Sequence, residues 1–155
     1  MPQNCTILCP TDEPQRIVDY LHELFRDDAE IRVTGNRSDW SKLEISTSAA
    51  SLTLNRQICR TRGDSFSRMI LGMHTYFDSV ETSAEAVKKD VLDRVLGVAL
   101  AIGVVAEPEF VEQARHYDCI FGIAEAFKAI IWTGSGVLDA EGRMLLDGEG
   151  NSEVA

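Results

Sequence analysis

LEISTSAASLTLNRQI, residues 43–58, is the stretch whose reading decides the fold. Leu43, Ile45 and Thr47 alternate with polar residues, and Leu52 and Leu54 resume the alternation after the small-residue turn SAAS (48–51). A period of two puts apolar side chains on one face of a strand and polar ones on the other. The pattern therefore predicts an antiparallel meander with one wet face. Carrying the same parity forward lands on Arg56, Ile58, Arg60 and Arg62. Either a bulge rotates the strand there, or Arg56 points inward at a sheet edge. Upstream, IRV (31–33) and the turn-rich GNRSD (35–39) supply the strand that opens the meander.

Working outward, TILCP (6–10) reads as a short strand stopped by Pro10. Thr11 or Asp12 is a candidate cap for the helix that follows, with Pro14 in its first turn. Ile17, Tyr20, Leu21, Leu24 and Phe25 share one face of that helix, and His22 falls off it. After the meander, Asp64 or Ser65 caps a second helix with Phe66, Met69, Ile70, Met73, Phe77 and Val80 inward and His74 at the margin. Thr82 and Glu85 match a capping box, and Val87, Val91, Val95, Val98 and Ile102 continue as a third helix. Two amphipathic helices with so short a connection imply a helical hairpin or a sharp corner.

GVVAEP (103–108) then reads as a buried strand, residues 108–128 as a fourth helix and AIIW (129–132) as a strand. VLDAEGRMLLD (137–147) is a hairpin in which Asp139 opens the turn and Gly142 takes the left-handed position. No internal repeat or linker is read. The expected fold is a single α+β domain over residues 1–148. It combines an antiparallel β-meander, four helices, a C-terminal β-α-β unit and a β-hairpin, with the two halves sharing one core. Residues 149–155 form a flexible polar tail.

Composition narrows the functional classes. The net charge of −10 argues against a sequence-independent grip on nucleic acid, and no apolar run reaches the ~20 residues a membrane span needs. The N-terminus lacks the pattern of a secretory signal. Cys5, Cys9, Cys59 and Cys119 form neither a CxxC pair nor a disulfide framework, which points to reduced thiols in the cytoplasm. The charge is uneven. Arg32, Arg37, Lys42, Arg56, Arg60, Arg62 and Arg68 face only Asp39, Glu44 and Asp64 in the middle of the chain, whereas the C-terminal half is strongly acidic. Trp40, Arg56, Arg60, Arg62 and Arg68 are accordingly the candidate partner-binding residues.

The candidate ligand-binding residues are Glu107, Glu109, His116 and Trp132. The two acids flank Pro108 where a strand hands over to a helix, and Trp132 lies on a strand joined to theirs by one crossover, hence a possible neighbour. His116 and Cys119 are neighbours on the fourth helix, but a nucleophilic pair needs a thiolate-favouring setting and an orienting third group. Asp118 is on another face of the helix, so a core histidine and a core cysteine are the preferred reading. No metal-ligand spacing, no phosphate-loop pattern and no cofactor motif is read, and no catalytic set is assigned.

The order helix, three strands, helix, with an acidic balance, resembles the small secretion-chaperone class of bacterial proteins over the first half of the chain. The strand–helix–strand unit and terminal hairpin depart from that class. The expectation is a cytoplasmic binding or regulatory protein, adaptor- or chaperone-like and without catalytic activity, that works as a homodimer or on a protein partner. The alternative is a small-molecule-binding domain or small enzyme with a pocket near Glu107, His116 and Trp132.

Overall fold

The computed structural model describes residues 4–48, 50–107 and 115–155, with the side chains of Arg115 and His116 excepted. Four helices accompany one sheet of eight strands, an α+β architecture as the alternating patterns require. The chain runs β1 (Asn4–Cys9), α1 (Pro14–Phe25), β2 (Glu30–Asn36), β3 (Asp39–Ser46), β4 (Ser51–Ile58), α2 (Ser65–Asp78), α3 (Glu85–Leu96) and β5 (Leu100–Glu107). It ends with α4 (Arg115–Ala126), β6 (Ile130–Trp132), β7 (Gly136–Leu138) and β8 (Met144–Asp147). The strand order is β2-β3-β4-β5-β1-β6-β7-β8, and every pairing is antiparallel.

The meander of β2, β3 and β4 follows the period-two reading, with Leu43 opposite Leu54 and Ile45 opposite Leu52. The β5-α4-β6 segment differs from a simple crossover. The first strand of the chain, β1, inserts between β5 and β6 and pairs with both. β1 is apolar on both faces at Ile7 and Leu8, as a central strand demands.

Burial divides into two cores, one on each side of the sheet. On the first face, α1 and α4 cover Cys5, Ile7, Cys9, Leu43, Ile45, Leu52, Leu54, Ile102 and Val104. On the second, α2 and α3 cover Leu8, Ala101, Ile130, Val137 and Leu146. The halves of the chain therefore share a sheet rather than one core. Each helix pair buries its own apolar stripe against it.

Local chemistry explains the element ends. Asp64 caps α2, accepting from the backbone N–H of Ser67 at 3.0 Å and from those of Arg60 and Thr61 at 2.8 and 3.1 Å. Those backbone donors hold its carboxyl far below the usual range. Neither Thr11 nor Asp12 caps α1: its N-cap is Glu13, whose side chain makes no capping bond to the backbone, and Asp12 is drawn to Arg56 instead. The Thr82 capping box does not form either. Ala84 is the N-cap of α3, while Thr82 accepts from its N–H and donates to the Gly150 carbonyl. α3 stops at Gly97, so Ile102 belongs to β5 and not to the helix. The apolar run of residues 98–106 lacks polar punctuation, and a strand buried on both faces wins over helix continuation.

The hairpin contains a repeat that the sequence reading missed. Leu-Asp-x-Glu-Gly occurs at 138–142 and again at 146–150, and both copies build the same turn. Asp139 accepts from the N–H groups of Glu141 and Arg143, and Asp147 from those of Glu149 and Asn151, each at 2.9 Å. Gly142 and Gly150 carry the positive φ each turn needs, +83° and +86°. The second turn sends residues 151–154 back along β8, where the Glu153 N–H reaches the Met144 carbonyl at 2.8 Å.

Candidate functional site

Arg56 resolves the parity problem in β4. The strand is in continuous register with β5 and contains no bulge, so Arg56 points to the first face from an interior strand, not from an edge. Its side chain is 3% exposed, and all three of its nitrogens donate. Nε and Nη2 fork onto the Asp12 carboxylate at 2.8–3.1 Å, and Nη1 donates to Asp39 at 2.7 Å and to the Trp40 carbonyl at 3.0 Å. The guanidinium lies 5.9 Å from the Trp40 ring centroid. Trp40 is itself fully buried and donates its indole N–H to the Pro14 carbonyl at 2.8 Å. The pair thus ties β3 and β4 to the β1–α1 connection. Of the basic residues singled out with them, Arg60, Arg62 and Arg68 are exposed, and Arg60 reaches Asp39 at 3.4 Å.

The other candidate group is not gathered at one point. Glu109 and the His116 side chain lie outside the described residues. The helix that carries His116 packs on the first face through Cys119, Ile120, Ile123 and Ala124, whereas Trp132 packs on the second. Glu107 shares the second face with Trp132 but not its neighbourhood. Trp132 pairs with Thr6, Thr6 pairs with Gly103, and Glu107 lies four residues beyond Gly103. The separation is roughly 13 Å along the strands and about 10 Å across them.

The thiols are placed by packing. Cys5, Cys9 and Cys119 are buried and free, and burial pushes the first two up to about 12, with Cys119 displaced in the same direction. A thiol held protonated is a poor nucleophile. Cys59 is the exposed one, with its Sγ 3.4 Å from the Ser67 hydroxyl. Titration with a thiol-reactive disulfide dye under native conditions is expected to label one cysteine rapidly and the other three only on unfolding. Because the buried thiols have raised values, folding loses stability as pH rises from their ordinary value of 9.0 toward about 12. Rapid labelling of all four would refute this placement.

What the elements do assemble is a half-bare sheet. α2 and α3 cover the second face only over the β1, β6, β7 and β8 side and at Ala101. Over β3, β4 and the far end of β5 no described element covers that face. The register lines up Lys42, Asn55, Gly103 and Thr6 in one row ending at Trp132, and Arg32, Glu44, Thr53, Val105 and Asn4 in the next. Val105 is 39% exposed in the middle of this surface. Gly103 leaves a notch in the floor, because a Cβ there meets nothing closer than Asn55 at 3.9 Å.

The rim is aromatic. Phe77 and Tyr76 of α2 meet Trp132 edge-on, with ring centroids 5.5 and 5.6 Å apart. Trp132 was legible as a site candidate, whereas Thr6, Asn55 and Gly103 carried no signal before their strands were placed side by side. Elsewhere, a cavity of about 80 Å³ lies among Leu8, Pro10, Arg94, Gly97, Lys128 and Ile130, room for little more than a few waters. Among the described residues no group of three His, Cys, Asp or Glu is placed to hold a metal ion, and no helix is long and apolar enough to cross a membrane. No protein family, curated protein or solved structure matches the chain.

Proposed function

We propose that the protein is a non-catalytic binding module, adaptor- or regulator-like, that receives a protein partner on the bare half of its sheet. One observation carries the reading: the helical layer of the second face stops at Trp132 and leaves a notched floor of Thr6, Asn55, Gly103 and Val105 beside an aromatic rim. An antiparallel sheet tolerates water on one face, but a rim of edge-on aromatics beside an exposed valine is the mixed character of a recognition surface. We assign an amphipathic helix of the partner as the occupant, its apolar side set on Val105 and the aromatic rim. The assignment of strongly ionised or strongly protonated groups to caps and core supports the non-catalytic half of the proposal. The free cysteines support a reducing compartment, for which we propose the cytoplasm.

Site-specific photo-crosslinking tests the surface. A benzophenone residue replacing Asn55 in the bare floor is expected to trap one discrete protein in cells, and a probe replacing Lys89 on α3 is not. Equal trapping at both positions, or none at Asn55, would exclude the face as a docking site. So would large thermal stabilisation by one small metabolite that the Gly103→Arg variant abolishes, since that outcome assigns the notch to a small ligand.

A further inference from the structure

The two edges of the sheet are treated differently. At one end β8 is covered by its own chain, which accepts from the Asp147 N–H at the Asn151 carbonyl and donates from Glu153 to Met144. At the other end β2 is the terminal strand, seven residues long. Its outer side presents a row of backbone N–H and C=O groups suited to another strand. Proline is absent from it, and the side chains alternate cleanly: Ile31 and Val33 are half-buried against the first core, while Glu30, Arg32 and Thr34 are exposed.

We infer that β2 pairs with β2 of a second copy of this chain, antiparallel about a two-fold axis through Ile31. Three constraints select that register. Antiparallel partners directly opposite each other project to the same side, so any pairing that sets Ile31 against Arg32 exposes one apolar side chain and buries one charge. Only registers whose paired numbers sum to an even value escape this. Among them, centring on Glu30 or on Arg32 places like charges face to face. Centring on Val33 carries the pairing through the bulge between Thr34 and Gly35, where the ladder is already irregular.

The register centred on Ile31 has none of these faults. It sets Glu30 opposite Arg32 of the second copy, twice by symmetry, Ile31 opposite Ile31 and Ala29 opposite Val33. In the single chain Glu30 and Arg32 already approach to 3.2 Å along the strand, both well exposed, so exchanging partners across the axis requires only side-chain rotation. The apolar row joins the first core, of which Ala29, Ile31 and Val33 are the partly buried margin. The isologous contact closes with two copies and joins the two sheets into one. This surface is separate from the bare face, and either proposal stands if the other fails.

Charge exchange in the full-length chain tests it, read by analytical ultracentrifugation. The native chain is expected to be a dimer at micromolar concentration. Glu30→Arg alone, and Arg32→Glu alone, set like charges opposite each other twice and are expected to weaken association by roughly tenfold or more. Mixing the two variants restores opposite charges at both pairs only across the interface, so heterodimers are expected to recover native affinity. In a Cys59→Ser background, Ile31→Cys is expected to form a disulfide-linked dimer on mild oxidation, which Thr34→Cys is not. A native chain that sediments as a monomer overturns the inference. So does a dimer indifferent to both charge reversals, because it then forms through another surface.

Discussion

Replacing Arg56 by alanine is expected to destabilise the protein by about 3 kcal/mol, the low end of what removing one partner of a buried ion pair costs. The side chain is 3% exposed, and its removal leaves the Asp12 carboxylate without its fork and takes a donor from the Trp40 carbonyl. The figure is held at the low end because Asp12 and Asp39 are 29% and 54% exposed and water can reach them. Arg56→Met, which keeps the aliphatic stem on the Trp40 ring, is expected to lose less. Asp12→Asn is expected to lose less again.

The same cluster sets an acid dependence. The hydrogen bond from Arg56 holds the Asp39 carboxyl below its usual range. Its contribution is therefore complete above the unfolded carboxylate value and disappears as pH falls through the lower folded value. The gap between native and Arg56→Ala urea midpoints should accordingly narrow in acid. A loss below about 1 kcal/mol at neutral pH would show that the fork is ornamental to stability.

The second large effect lies on the opposite face. Phe77→Ala is expected to cost about 4 kcal/mol, in the range for truncating a fully buried aromatic residue. Phe77 meets Tyr76 at 5.1 Å and Trp132 at 5.5 Å, both edge-on, and with Phe66, Ile70 and Met73 it fastens α2 to the sheet. The two tryptophans report separately on the two cores. Trp132 emission should shift to the red as its neighbours open, while Trp40, studied in a Trp132→Phe background, should keep its native signal until global unfolding. A variant with unchanged stability, or one in which both tryptophans respond together in native buffer, would dispose of the idea that the two helix layers are fastened independently. The variant also loosens the rim of the bare face, so weaker photo-crosslinking from Asn55 should accompany the stability loss.

Much of the architecture was legible because it rests on local periodicity. The alternation of residues 43–58, the apolar stripes of α1 and α2 and the Asp64 cap are consequences of neighbours in the chain, and the structure contains them where the spacing places them. The errors fall where a distant partner outbid a local one. Asp12 left the helix it was suited to cap because a buried guanidinium forty-four residues away offered a bidentate fork with charge on both partners, where a cap bond has charge on one. Thr82 turned to a distant partner as well, donating to the Gly150 carbonyl sixty-eight residues away.

The candidate site was the least legible feature. Sequence adjacency through one helix suggested that Trp132 and Glu107 sit together, but β1, from the far end of the chain, occupies the space between their strands. Nothing near residue 130 announces that insertion.

By itself, then, the sequence determined most of the secondary elements, the apolar side of the meander strands and the core placement of Cys119. Each follows from spacing of two or of about 3.6 residues and from the chemistry of single side chains. Tertiary structure alone decided the strand order, the inward turn of Arg56 and the arrest of the helical layer at Trp132. Those depend on contacts between residues far apart in the chain, whose free energy is gained only once the sheet has brought them together.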